Sequence, residues 1–145
     1  MIQHIDVHEM LQQSVAGLYA DLVTRPTGRA VRERIAHEIR AAGAAVALMD
    51  FSRVGCLDYS CADEVVVKLL REQVTVLLLR GLHEGHREAI EPVLARHGLA
   101  AVLERPDHTL AVLGPPETGE ALLAELIEQR LAERTPGGAI ALVSA

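Results

Sequence analysis

Apolar positions in this chain recur with two periods, and the alternation between them predicts the elements. Val31, Ile35, Ile39 and Ala42 stand at helical spacing, which predicts a helix opened by Pro26 or Thr27 and stopped by Gly43. Ala62, Val65, Val66, Leu69 and Leu70 predict a second helix over 60–73. Ile90, Val93 and Leu94 predict a third over 84–97, ended by Gly98, with Pro92 as a kink or as its true first turn. Leu122, Leu123, Leu126, Ile127 and Leu131 predict a fourth over 117–133. Short apolar runs lie between them, at 2–7, 15–23, 44–49, 74–79, 99–103 and 109–113, and read as strands. The run 74–79 is apolar on both faces and therefore central. Residues 105–108 turn the chain into a hairpin, and 135–138 form a turn before a last edge strand or tail at 139–143.

Strands alternating with helices predict an α/β sandwich with a mostly parallel or mixed central sheet and about four helices. Strands 44–49 and 74–79 should be adjacent and parallel, with the helix at 60–73 crossing between them. A length of 145 residues predicts one domain, 1–145, in which 104–145 supply a hairpin, a helix and a tail.

Composition narrows the functional classes. There is no Trp, one Phe and two Tyr, so the core is aliphatic and single-stranded nucleic acid would lack stacking platforms. The net charge of −6 disfavours nucleic acid and anionic membranes. Charge is uneven: residues 25–40 hold five Arg against two Glu, and 104–145 hold seven acids against three Arg. Each is a solvated face, or a pole that guides self-association as a homodimer or docking onto a partner. No leader-like start occurs, and no apolar run reaches the roughly 18 residues of a membrane span, so a reduced cytoplasmic location is expected.

Candidate chemistry concentrates at 49–64. The strand ending in Asp50 is followed by a loop and by Ser60, at a helix start where unpaired N–H groups favour negative charge. Ser60 is either the N-cap or a hydroxyl open to phosphorylation. Asp58, Asp63 and Glu64 crowd the same start, where acids suit the helix dipole. Cys61, in the first turn, would have a lowered thiol pKa if reactive, or be a small buried residue if not. The turn Thr24, Arg25, Thr27, Gly28 and Arg29 combines hydroxyls, cations and a helix N-terminus, an anion-friendly arrangement. Arg25 would pair with Asp50 if that helix started beside the strand. His83 and His86 have metal-like spacing, but no further ligand is signposted. Neither a phosphate cradle nor a nucleophile elbow occurs, so no cofactor, metal or intrinsic transfer activity is expected.

Asp50-Phe51-Ser52 with Val54, followed by Ser60-Cys61-Ala62-Asp63-Glu64-Val65, resembles the signature of the STAS-like family of unknown function. Thr24-Arg25 with Gly28 and Arg32 is similar to the family's approach to its first helix, and the resemblance spans about residues 15–103. It implies kinship with the STAS domains of anti-sigma-factor antagonists. In the loop those domains use, Asp58-Tyr59-Ser60-Cys61 places Tyr59 at the usual phospho-acceptor and Cys61 at the usual glycine. The resemblance implies a bacterial regulatory module that docks a protein partner, such as a kinase-like anti-sigma factor. Its contact would be Asp50, Asp58, Tyr59, Ser60, Asp63 and Glu64, with Ser60 or Tyr59 modifiable. The alternative is a small-anion or nucleotide-binding protein or enzyme using the Thr24–Arg29 turn and Asp50.

Overall fold

The computed structural model describes residues 1–15 and 20–143. Five strands form one sheet in the order β1 (Ile2–Asp6), β2 (Val46–Asp50), β3 (Val76–Arg80), β4 (Ala101–Glu104), β5 (Leu110–Leu113). The first four are parallel and β5 returns antiparallel to β4. The predicted parallel pairing of the strands around 44–49 and 74–79 is therefore present, with a helix between them.

Four helices lie against one face: α1 (Val7–Ser14), α2 (Arg25–Ala42), α3 (residues 59–72) and α4 (Glu84–His97). They bury Ile5, Ala47, Met49, Leu77, Leu79 and Ala101. The opposite face, Val46, Leu48, Val76, Leu78, Val102 and Leu110, is covered by α5 (Pro116–Glu128) and the hairpin β6 (Ala132–Arg134) and β7 (Ile140–Leu142). Coverage of both faces explains why β2 and β3 read as continuous apolar runs.

Chain punctuation sets the helix limits. Pro26 stands in the first turn of α2, and Gly43 closes it at φ 66°. Gly98, at φ 63°, closes α4 in the same way. Pro92 lies inside α4 and does not begin it. Helix α3 is α-helical at Tyr59–Ala62, π-helical at Asp63–Lys68 and α-helical again at Leu69–Glu72. Val65, Val66 and Val67 are all buried, in one core cluster with residues of α2, α4 and the sheet.

Two expectations are corrected, and one helix is added that the sequence reading left unassigned. The run at 15–23 lies partly outside the described residues; within them, Leu22 forms only a single parallel bridge to Leu57. Helix α5 ends at Glu128, not at residue 133, because Arg130 turns to φ 63° and residues 132–134 pair with β7. Residues 7–14 are a helix, with Val7, Met10 and Leu11 buried at helical spacing and the Asp6 carboxylate capping Glu9 N–H.

Candidate functional site

The start of α3 is organised by Asp58. Its Oδ1 accepts from Cys61 N–H and from the Ser60 hydroxyl, both at 2.8 Å, while Oδ2 accepts from Thr24 N–H at 2.9 Å. Asp58 is thus the N-cap, and Ser60 is the second residue of the helix. The expectation that Ser60 caps α3 is corrected for this reason: a cap stands outside the first turn, and the acid already fills that place. Burial works to raise the Asp58 carboxyl, but these hydrogen bonds outweigh it and hold it below the usual aspartate range. Leu22 N–H to Cys56 carbonyl and Asp58 N–H to Leu22 carbonyl complete the join between the approach to α2 and the approach to α3.

Gly28 lets α2 press against this start. A Cβ there would sit 3.0 Å from both Cα and Sγ of Cys61. The Cys61 thiol is fully buried and donates to the Thr24 carbonyl at 3.1 Å. Burial, and then the Asp58 charge, push that thiol up to about 12, so Cys61 is the small buried residue of the two readings and not the thiol of lowered pKa. The other cysteine, Cys56, is exposed.

Two large hydrophobic side chains flank this join in sequence. Tyr59 is 60% exposed and Val23 41%, two of the few large hydrophobic side chains that face solvent among the described residues. Val23 lines a hollow of about 360 Å³ together with Val15, Asp21, Thr24 and Thr27. In the turn itself Thr24 holds φ 67°, and its hydroxyl donates to that of Thr27 at 3.2 Å.

An ionic cluster follows along α3. The Glu64 carboxylate is fully buried, with Lys68 Nζ at 2.7 Å and Arg25 Nη1 at 3.3 Å. Arg29 Nε and Arg32 Nε both stand 3.7 Å away, and Glu64 Oε1 has no hydrogen-bond donor. Arg25 also binds Asp63 at 2.8 Å. Glu64 is therefore an anchor between α2 and α3, a correction to its expected place on a partner-facing surface. Asp63 is largely covered and held by Arg25. The expected Arg25–Asp50 pair is absent because α2 starts beside α3 and Asp50 instead accepts from Ser52 N–H at 2.8 Å.

Charged residues end all four parallel strands in one row: Asp6, Asp50, Arg80 and Glu104 are register partners across the sheet. Arg53 pairs with Asp6, and Arg80 with the nearly buried Glu104. Only Asp50 of this row was singled out from the sequence. The repeated pattern of an apolar run followed by one charge was the signal for the other three.

His83 and His86 stack with ring centroids 3.4 Å apart and cap α4 reciprocally. His86 Nε2 lies 2.8 Å from the Gly55 carbonyl oxygen, and its Nδ1 accepts from His83 N–H at 3.3 Å. A carbonyl only accepts, so Nε2 carries the hydrogen and the ring is neutral. Burial, the largest influence, lowers the His86 pKa. Both rings thus tie α4 to the loop preceding α3; among the described residues no group of three or more potential ligands surrounds a metal position.

No protein-family model, no curated protein and no solved structure matches this chain.

Proposed function

We propose that this chain is a regulatory protein-interaction module of STAS-like type, binding its partner through the surface around the start of α3. The carrying observation is that exposed Val23 and Tyr59 stand next in sequence to Thr24 and Asp58, which are hydrogen-bonded to each other across the two helix starts. Exposed aromatic and aliphatic side chains on a preorganised surface favour protein contact, because little conformational entropy is lost on binding. Arg25 and Arg29 are paired with Asp63 and Glu64 but remain partly exposed beside it.

In this reading the partner belongs to the kinase-like class of regulators, and Ser60 is the modifiable hydroxyl. Its Oγ is bonded to Asp58, so a phosphate there brings like charges together and displaces Asp58 from the cap. Modification would then loosen the join at Thr24 and reshape the docking surface. Tyr59, with its ring in solvent, is the second acceptor. In this reading the chain acts by binding: Asp58 serves as the helix cap that holds the Ser60 hydroxyl, and the Cys61 thiol is buried against the Thr24 carbonyl.

The test is affinity capture from native cells with the intact chain and with Tyr59→Arg, followed by mass spectrometry. The reading expects a protein enriched by the first and lost with the second, at equal urea midpoints for the two baits. Equal enrichment by both would refute the surface.

A further inference from the structure

A second place in the fold has the composition of a ligand site, and it is independent of the docking surface. Arg80 and Glu104 end β3 and β4, at the carboxyl edge where α/β sheets present their ligand crevices. A cleft of about 630 Å³ opens there, between the loop after β3 and the turn after β4. That volume is typical of small-molecule sites.

Three arginines line this cleft, Arg80, Arg87 and Arg105, against the single carboxylate of Glu104. The lining residues themselves sum to +2 within a chain whose net charge is −6, with Asp50, Glu91 and Asp107 standing behind Arg80, Arg87 and Arg105. Glu104 is 4% exposed and engages Arg80 through Nε, so the Arg80 guanidinium is held in a fixed direction. The Arg105 side chain donates to the Thr109 hydroxyl at 3.3 Å and forms no ion pair among the described residues, though it lies close enough to Asp107 to help the Thr109 hydrogen bonds lower that carboxyl. Arg87 pairs with Glu91 on the exposed surface of α4, a contact that holds it weakly.

Two further features fit a site. His108 lines the cleft at φ 70°, a conformation that glycine adopts without steric cost, and its Nδ1 lies 3.4 Å from Glu104 Oε2. Gly81, at φ 71°, keeps the other wall close: a Cβ there would meet Ser52 Cβ at 2.8 Å and Asp50 Oδ1 at 2.9 Å. Leu82, Leu103 and Pro106 make the remainder apolar.

We propose that this cleft binds a small organic phosphate monoester, its phosphate against Arg80 and Arg105 and its apolar body against Leu82, Leu103 and Pro106. A phosphate monoester carries close to two negative charges at neutral pH, matching the lining, and its oxygens suit guanidinium forks. The apolar wall would be wasted on a bare anion.

Amide chemical-shift mapping by NMR with phenyl phosphate tests this. The expected result is saturable binding with Kd below about 1 mM, with shifts centred on Gly81, Leu82 and the turn at 105–108. Inorganic phosphate should bind at least about tenfold more weakly, and so should phenyl phosphate to Arg105→Gln. Arg105 is exposed, so that variant keeps the fold, and an unchanged urea midpoint verifies it. Absence of saturable binding by about 10 mM overturns the proposal. So do shifts centred on Thr24 to Arg29, equal binding of inorganic phosphate, or an unchanged affinity in Arg105→Gln.

Discussion

Replacing Glu64 by Gln should destabilise the chain out of proportion to the change in shape. The substitution keeps the volume and removes one charge from a buried position where four cationic groups converge. Removing one partner from a buried ion pair costs about 3–5 kcal/mol. That figure needs reduction here, because the Arg25 and Arg29 side chains are 41% and 54% exposed and can turn to water. Lys68, at 2.7 Å but 35% exposed, is reduced likewise, while Arg32, 18% exposed, keeps most of its share. The working value is about 2–4 kcal/mol. With a urea slope of about 1–3 kcal/mol/M, the midpoint should fall by on the order of 1–2 M. Circular dichroism during urea titration reads this directly, with Glu88→Gln on the exposed side of α4 as control. Lys68→Ala should cost more than a surface lysine normally does, about 1–2 kcal/mol, since it uncovers the same carboxylate. A Glu64→Gln midpoint within error of the Glu88→Gln control would show that the cluster does not join α2 to α3.

Other outcomes follow from the same geometry. A thiol reagent at pH 8 should modify Cys56 rapidly in the folded chain and Cys61 only after unfolding, so two fast-reacting thiols in the native state would contradict the burial of Cys61. His86 has a folded pKa below its unfolded value of about 6.5, so its neutral ring contributes stability above that pH, which is lost as pH falls from there through the folded value. Urea midpoints should decline across that window in the parent chain and less steeply in His86→Gln; parallel profiles would exclude the ring. Asp58 has the same sign at lower pH: its contribution is present above about 3.9 and lost as pH falls through its depressed folded value, a loss that Asp58→Asn should abolish.

Much of the fold was legible because punctuation and periodicity agreed. Pro26 and Gly43 bracket α2, and Gly98 ends α4, where spacing alone would leave the limits open. The end of α5 was not legible, since Leu131 extends the apolar period of Ile127 and no Gly or Pro marks the exit before β6. The π-helical stretch Asp63–Lys68 likewise has no signature in residue type. At the site, acids beside a helix start read as solvated dipole partners, which suited Asp58 and misplaced Glu64. Burial of Glu64 depends on Arg25, Arg29 and Arg32 arriving on a neighbouring helix. Their common face on α2, and the spacing of Glu64 and Lys68, were the readable hints. Ser60 was mistaken for the cap because Ser and Asp compete for that role, and only the backbone turn at Asp58 decides between them.

The docking surface is tested most directly by titration calorimetry of the captured partner against the parent chain, Tyr59→Ala and Ser60→Asp. A central aromatic contact is typically worth about 2 kcal/mol or more, so Tyr59→Ala should weaken binding at least about tenfold while the urea midpoint holds. Ser60→Asp sets a second carboxylate against Asp58 and should weaken binding similarly. Partner affinity unchanged in both variants would contradict the assignment of the α3 start as the interface.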